Sequence, residues 1–157
     1  MKVALVHYWL VNMAGGEKVL DLGCGSGILS IAALRLGAES AFACDIDEKC
    51  VDVAYENAAL NGIGKDRYTV RWGDVLTDAA LRQEMGAGYD IVVANIVADV
   101  IMGLSPHVRP FLKSGGLFLC SGIIDDRAAE VLEKLKADGW DVFEQRSSEG
   151  WFSYLCK

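Results

Sequence analysis

Short apolar runs alternate with helical patterns along almost the whole chain, and this alternation limits the fold more than any other feature. Strands and helices at this spacing predict parallel strands joined by right-handed crossovers. The strands are predicted over 19–22, 40–44, 67–72, 89–94 and 117–121. The helices are predicted over 27–36, 47–60, 97–112 and 125–138, and the third is predicted to be interrupted at Ser105-Pro106, where serine can cap and proline can open a new turn. Two last runs, 140–146 and 151–156, predict a hairpin that adds antiparallel edge strands.

Length and charge exclude several classes of protein. At 157 residues the chain is predicted to form one domain. Its 15 Lys and Arg against 22 Asp and Glu give a net charge of −7, which opposes binding to nucleic acid or anionic lipid through the overall field. The longest apolar runs, 3–11 and 89–98, are far shorter than the ~20 residues that span a bilayer, and no signal-peptide cleavage pattern follows the first of them. We therefore expect neither a nucleic-acid partner nor a membrane partner.

The cysteines and histidines predict no metal centre. The five cysteines form no C-x-x-C pair, and most of them lie in apolar runs. His7 and His107 are the only histidines in the sequence, and both are remote from any pair of cysteines. We therefore expect reduced, mostly buried thiols in a cytoplasmic protein, and no bound metal.

A glycine-rich turn joins the first predicted strand to the first predicted helix. The turn contains Gly23, Cys24, Gly25 and Gly27. Glycines let a ligand approach the main chain closely, and a helix N-terminus offers N–H groups and a partial positive charge. A tight turn that merely needs positive φ is the alternative, but three glycines at alternate positions favour a ligand cradle.

The exact spacing of the glycines indicates which ligand the turn suits. The dinucleotide fingerprint G-x-G-x-x-G requires a glycine where this chain has Ile28, and no Gly-Lys-Ser/Thr follows to make a phosphate loop. An acid, Asp21, lies two residues before the first glycine. This arrangement suits a ligand that carries both a carboxylate and an ammonium group, as S-adenosylmethionine does at its methionine end.

A second acid ends the second predicted strand. Asp45 lies 45 − 23 = 22 residues after the first glycine, close to the spacing of about 20 at which nucleoside sites place an acid for the ribose hydroxyls. We interpret Asp45 as the ribose-binding residue. The alternative is that Asp45 is simply exposed while Asp47 caps the next helix.

The end of the third strand supplies a third acid. Asp74 follows Gly73, and its carboxylate can accept a hydrogen bond from the adenine amino group. Ile46 and Val75 directly follow the second and third acids and can sandwich the adenine ring, although ordinary core positions are the alternative for both. Ligands of open α/β sheets bind at the carboxyl ends of the strands, where all these residues are predicted to lie.

An asparagine ends the fourth strand, where asparagine is unfavourable. Asn95 is interpreted as the catalytic residue, whose amide oxygen accepts a hydrogen from an amine nucleophile and orients its lone pair; it also adjoins the cofactor. The alternative is a helix N-cap. Asp99 is either an additional acceptor or a solvated acid in the first turn of the next helix.

Five segments stand out from the sequence: VLDLGCGSGILSIAALRLGA, DIDEKCVDVAYENAALNGI, GDVLTD, YDIVVANIVADVI and LKSGGLFLCSGI. They resemble the ribosomal protein L11 methyltransferases, the PrmA family, over about residues 17–157. The most specific is ANIVADV, because the glycine turn is common to most class I methyltransferases.

The resemblance implies a Rossmann-like class I methyltransferase fold, with a seven-stranded mixed sheet and helices on both faces. It implies S-adenosylmethionine as the methyl donor and lysine or N-terminal amines of a ribosomal protein, a basic substrate, as acceptors. By the same resemblance the cofactor site is lined by Asp21, Gly23, Gly25, Asp45, Asp74 and Asn95.

The N-terminal segment departs from the family pattern. Family members carry a separate substrate-recognition domain and an F-G-T-G-x-H segment before the first strand, and neither is found in this sequence. Residues 1–20 instead resemble the opening of a GT-B glycosyltransferase. We therefore expect one methyltransferase domain over 1–157, with 1–16 as an atypical segment and no separate recognition domain.

Protein N-methyl transfer is thus the leading hypothesis. Its alternatives are a domain that binds the cofactor without turnover, a truncated or composite fragment that turns nothing over, and a nicotinamide oxidoreductase, against which Ile28 counts.

Overall fold

The computed structural model describes residues 12–157, so most of the atypical segment 1–16 and most of the glycosyltransferase-like stretch lie outside the described residues. Seven strands form one sheet in the order β3-β2-β1-β4-β5-β7-β6. The strands are β1 (Lys18–Leu22), β2 (Ser40–Asp45), β3 (Tyr68–Trp72), β4 (Tyr89–Asn95), β5 (Leu112–Ile124), β6 (Val142–Ser148) and β7 (Trp151–Cys156). The helices are α1 (Ile28–Arg35), α2 (Lys49–Leu60), α3 (Ala79–Met85), α4 (Ala98–Leu104) and α5 (Asp125–Ala137).

Strands β1 to β5 pair in parallel, whereas β7 runs antiparallel to both β5 and β6. Helices α1 and α2 contribute to a core on one face of the sheet, and α3, α4 and α5 contribute to a core on the other. The predicted α/β fold with a mixed seven-stranded sheet is confirmed. The expectation of a single domain over the whole chain stays a prediction.

The register of the sheet brings the strand ends that carry the predicted site residues to one edge of the sheet. Asp45 is paired with Trp72, and Asn95 is paired with Ser121. The turn after β1 lies between these pairs, because β1 is flanked by β2 and β4. The carboxyl ends of four neighbouring strands therefore meet around the glycine turn.

Helix α5 shows how closely sequence can predict an element. Asp125 and Asp126 lie in its first turn, and Lys134 and Lys136 lie in its last turn, where each charge is favourable with the helix dipole. Its buried residues recur at helical spacing, and they are Ala128, Val131 and Leu135. Gly139 follows with a φ of 85° and ends the element as predicted.

Two regions differ from the predicted elements. Helix α3 was not predicted, although the Asp78 carboxylate caps it by accepting the Leu81 N–H at 2.9 Å. Strand β5 begins at Leu112, whereas a turn was predicted over 114–116 and the strand from 117. The helical stretch over 97–112 is interrupted at Ser105-Pro106 as predicted: α4 is followed by two short 3₁₀ turns, Ser105–His107 and Arg109–Phe111, each with a proline in its first turn. Proline cannot donate to the preceding turn, so the longer helix is interrupted.

In the part of the chain that the structure describes, no helix has the length and the apolar character needed to cross a membrane. Nor do the side chains of residues 12–157 bring together three histidine, cysteine or acidic groups that could hold a metal ion.

The Trp140 side chain joins the 3₁₀ region to the sheet, and this contact yields a stability prediction. The indole is 4% exposed, lies 5.2 Å from the Phe118 ring, and donates to the Ser105 carbonyl at 3.0 Å. Trp140→Phe keeps most of the packing but removes this hydrogen bond to the Ser105 carbonyl. We expect urea denaturation to show a loss of about 1–3 kcal/mol in the free energy of unfolding.

The matched control is Phe143→Leu, at a ring that is 45% exposed. This surface change should stay within about 0.5 kcal/mol. Equal stabilities for Trp140→Phe and the parent would show that the Ser105 hydrogen bond contributes nothing to stability.

Candidate ligand-binding site

A cleft of about 340 Å³ opens at the carboxyl ends of β1 to β4, beside α4. Six residues predicted from the sequence line it: Gly23, Asp45, Ile46, Gly73, Asp74 and Val75. The other five are not part of its lining: Asp21, Cys24, Gly25, Gly27 and Asn95. The structure thus brings the residues predicted for the nucleoside together with Gly23, while the rest of the glycine turn and Asn95 lie outside this lining.

The three glycines of the turn have different reasons to lack a side chain. A Cβ at Gly23 would lie 2.5 Å from the Ile96 side chain, and one at Gly27 would lie 2.6 Å from the Tyr68 hydroxyl. Nothing lies within 4 Å of a Cβ built at Gly25, whose φ is 54°. Gly27 therefore serves packing, Gly23 both packs against Ile96 and lines the cleft, and Gly25, beside the cleft lining, leaves bare main chain facing open space.

The turn is held in shape by its own hydrogen bonds. The N–H groups of Gly23 and Cys24 both donate to the Cys44 carbonyl, at 2.9 and 3.0 Å. The Gly25 N–H donates to the Asp45 carboxylate at 2.8 Å. These N–H groups are used inside the protein, so the turn presents a fixed, bare surface more than a set of free donors. The Cys24 side chain is buried in the core under α1.

Asp45 ties two loops together at the rim of the cleft. One carboxylate oxygen accepts the Gly25 N–H at 2.8 Å, and the other accepts the Asp47 N–H at 2.9 Å. A carboxylate has about four acceptor positions, so two remain. Asp47 in turn accepts the Lys49 N–H at the start of α2. The N-cap of α2 is Glu48, so Asp47 stabilises the turn before the helix while Asp45 takes a cleft position.

The loops after β2 and β3 are also joined to each other. The Gly73 N–H donates to the Asp45 carbonyl at 2.9 Å, and the Trp72 indole N–H donates to the Ile46 carbonyl at 3.2 Å. Asp74 accepts the Leu76 N–H at 2.9 Å within its own turn and keeps further acceptor positions.

Two apolar side chains flank the acids. Ile46 is 74% exposed, which excludes an ordinary core role, and Val75 is 8% exposed and belongs to both the core and the cleft.

Asp21 lies beneath the glycine turn. Its carboxyl group is buried, and one of its oxygens accepts the Ser30 hydroxyl hydrogen at 2.5 Å. The other oxygen has no hydrogen-bond partner. Burial raises the pKa of Asp21 to about 6, against the lowering effect of the Ser30 hydrogen bonds. This acid supports the underside of the turn and does not face the cleft.

Asn95 presents an amide oxygen that is buried and has no hydrogen-bond partner. The N-cap of α4 is Val97, so Asn95 does not cap that helix. A Cβ at Gly122 would lie 2.9 Å from this oxygen. A buried acceptor without a donor is uncommon in proteins and needs an explanation, and five other buried side-chain oxygens of the described residues are also without a partner. Asp99, the other suggested acceptor, pairs with Arg127 at 2.7 Å.

Sequence reasoning missed the apolar half of the cleft. These residues are Leu22, Cys44, Leu76, Ile96, Val97, Val100 and Leu104. A signal for three of them was present, because Val97, Val100 and Leu104 recur at helical spacing directly after Asn95. The others are single apolar residues at strand ends, which a sequence does not distinguish from core.

The chain is similar to known proteins both as a member of a family and as an individual sequence. A family model described as ribosomal protein L11 methyltransferase (PrmA) matches residues 5–157, which include part of the N-terminal segment set apart above. A ribosomal protein L11 methyltransferase from Desulforamulus reducens is 44% identical over 142 residues, which are 90% of this chain and 44% of that protein. One from Agathobacter rectalis is 43% identical over 153 residues, 94% of this chain and 47% of that protein. The chain thus spans less than half the length of these curated relatives.

A solved structure is also similar to this chain in both fold and sequence. The ribosomal protein L11 methylase from Lactobacillus delbrueckii subsp. bulgaricus superimposes with a TM-score of 0.87 at 28% sequence identity. The match covers 99% of this chain and 78% of that chain.

The buried Asp21 carboxyl group predicts a specific dependence of stability on pH. Its pKa is about 6 in the folded protein against an ordinary value of 3.8, so the folded state holds a proton that the unfolded state has lost between these values. The contribution of Asp21 to the free energy of unfolding is therefore greatest below pH 3.8, and it declines as the pH rises through 6. From well below pH 3.8 to well above pH 6, this contribution falls by about 3 kcal/mol in all.

Asp21→Asn, which cannot ionise, isolates this effect. We expect the free energy of unfolding of the parent minus that of the variant to fall by about 2 kcal/mol between pH 4 and pH 7, measured by urea denaturation. Acids elsewhere, such as Asp90 and Asp138 with lowered pKa values, titrate in both proteins and cancel in the difference. The same difference at both pH values would contradict the prediction.

Proposed function

This chain belongs to the ribosomal protein L11 methyltransferase (PrmA) family, and from that premise we propose that it transfers a methyl group from S-adenosylmethionine to an amine of a ribosomal protein. The acceptor is a lysine side chain or a chain N-terminus. The observation that carries the proposal is the cleft at the strand ends, where two acids with unused acceptor positions lie beside bare main chain and an apolar wall.

The described residues fit this cofactor. Gly25 leaves open space at the turn, and Asp45 retains two acceptor positions that suit a pair of ribose hydroxyls. Asp74 retains acceptor positions for the adenine amino group, while Ile46 and Val75 provide apolar surfaces for the ring. Asp21 and Cys24 act from below, by packing and hydrogen bonding under the turn.

The chemistry needs positioning more than a strong base. Bound S-adenosylmethionine supplies a methyl group that an amine lone pair takes while the carbon–sulfur bonding pair returns to sulfur and the amine proton passes to solvent. The amine must be neutral to attack, although a free lysine has a pKa of roughly 10.4. Asn95 accepts an N–H of the neutral amine through its unpartnered oxygen and so directs the lone pair. Good alignment is worth about 7–11 kcal/mol of the barrier.

The charge of the chain supports a basic protein as its partner. A net charge of −7 attracts a basic polypeptide through the overall field. The same proposal places the reaction in the cytoplasm.

Asp45→Ala tests the cofactor site. We expect calorimetry to show S-adenosylmethionine binding weakened by about 1.5–3 kcal/mol, because two acceptors for hydroxyls are lost. Asp52→Ala removes the same charge from the exposed side of α2 and should leave the affinity unchanged. An unchanged affinity for Asp45→Ala would remove Asp45 from the site.

Asn95→Ala separates binding from turnover. We expect unchanged cofactor affinity and at least about 100-fold slower methylation of a basic ribosomal protein, because the amine loses its acceptor. The control is Asn61→Ala, at an exposed amide just after α2. Parent-like turnover would show that Asn95 has no catalytic role, and cofactor binding without turnover by the parent chain would favour a cofactor-binding domain.

A further inference from the structure

Two large apolar side chains are exposed beside the cleft, at the ends of neighbouring strands. Ile46 directly follows β2 and is 74% exposed, and Trp72 ends β3 and is 59% exposed. Packing against the core therefore accounts for neither of them. The Trp72 indole N–H nevertheless has a defined partner, because it donates to the Ile46 main-chain carbonyl at 3.2 Å.

The Trp72 contact continues the pairing of β2 and β3 past the end of the ladder. Asp45 and Trp72 are the last paired residues, and the Gly73 N–H donates to the Asp45 carbonyl at 2.9 Å. The next carbonyl along the chain is that of Ile46, and it accepts from a side chain instead of from the main chain. The indole thereby fixes the first residue of the loop after β2, where main-chain pairing has ended.

The peptide group between Ile46 and Asp47 is held at both of its polar atoms. Its carbonyl accepts the Trp72 indole N–H at 3.2 Å, and its N–H donates to the Asp45 carboxylate at 2.9 Å. If the indole is lost, only the bond to Asp45 remains. The same peptide group thus connects the acid assigned to the ribose with the residue assigned to the adenine ring.

The two apolar walls of the cleft are held by different means. Val75 is 8% exposed and packs in the core, so the surrounding side chains fix its position. Ile46 lines the same cleft with most of its side chain in solvent, so packing contributes little to its position. The placement of the Ile46 side chain therefore depends on its main chain, and through it on the Trp72 indole.

We propose that Trp72 is a positioning residue of the cofactor site, which holds the Ile46 side chain against the adenine ring of S-adenosylmethionine. The proposal rests on the proposed function and adds a residue outside the cleft lining that sets the affinity for the cofactor. The adenine ring is remote from the methyl group and is bound alike before and during transfer, so the contact contributes to binding and not to the chemical step. Losing it raises the KM for the cofactor and leaves kcat unchanged.

Trp72→Phe and Trp72→His separate the hydrogen bond from the size of the ring. Phenylalanine has no ring donor, whereas the histidine Nε2–H takes the place of the indole N–H in a five-membered ring. The test is run at about pH 8, where an imidazole with an ordinary pKa of roughly 6.5 is neutral. We expect calorimetry with S-adenosylhomocysteine to show about three- to tenfold weaker binding by Trp72→Phe, and binding within about twofold of the parent by Trp72→His. Leu60→Ala, at a side chain 85% exposed at the end of α2, is the control and should bind as the parent does.

A double-mutant cycle tests whether Trp72 acts through Ile46. Ile46→Ala removes the wall itself, so adding Trp72→Phe to it should weaken the binding of S-adenosylhomocysteine by less than about twofold more. In methylation of a basic ribosomal protein, Trp72→Phe should raise the KM for S-adenosylmethionine by about three- to tenfold and keep kcat within about twofold of the parent. General damage to the fold would lower kcat as well.

Hydrogen exchange of the ligand-free chain tests the contact without any cofactor. The Asp47 amide, which donates to Asp45, should exchange at least about threefold faster in Trp72→Phe and at the parent rate in Trp72→His. Unchanged exchange in Trp72→Phe would show that the indole does not hold this loop, and it overturns the proposal.

The remaining outcomes separate the two proposals. Parent-like affinity of Trp72→Phe for S-adenosylhomocysteine overturns the positioning role, and an equal loss in Trp72→His does so too, because the ring and not its N–H is then responsible. A full further loss in the Ile46→Ala background also overturns it. Failure of the parent to bind S-adenosylhomocysteine defeats both proposals, whereas binding by the parent without turnover defeats only the methyl transfer and leaves the calorimetric comparison to decide the role of Trp72.

Discussion

The hydrogen bond between the Gly25 N–H and the Asp45 carboxylate is the contact on which the arrangement of the site depends. It links the turn after β1 to the end of β2 at 2.8 Å, and the second oxygen of the same carboxylate holds the start of the next loop. The Gly73 N–H then joins the loop after β3 to the same residue through its main-chain carbonyl. One acid thus fixes three loops that arise from separate strands. The cleft is therefore formed in advance, and a ligand does not have to organise it.

Preorganisation also explains why the glycines differ in their roles. Only Gly25 leaves its side open, while Gly23 and Gly27 admit Ile96 and Tyr68 from the protein itself. The three glycines of the turn therefore combine two packing requirements with one position, Gly25, that leaves its main chain bare.

Much of the fold and part of the site could be predicted from sequence. The helix over 125–138 and the strands ending at Asp45 and Asn95 were predicted well, because apolar periodicity and terminal charges are local signals. Helix α3 was missed because seven residues carry too little periodicity. Asp21 was expected to meet the ligand, yet its carboxyl group turns under the loop to Ser30. Which way a side chain points from a strand end depends on packing between distant segments, and spacing does not contain that information.

Strand β6 is an edge strand of the sheet, next to β7. An edge strand with unpaired main-chain groups is a template on which another chain can extend the sheet. Phe143 favours self-association at this edge of the sheet, because the residue is 45% exposed. The Glu144–Arg146 ion pair, at 2.5 Å, places both signs of charge along the same strand. Charged side chains of this kind discourage edge-to-edge aggregation, so replacing this pair with neutral residues removes a safeguard of solubility that the binding cleft does not need.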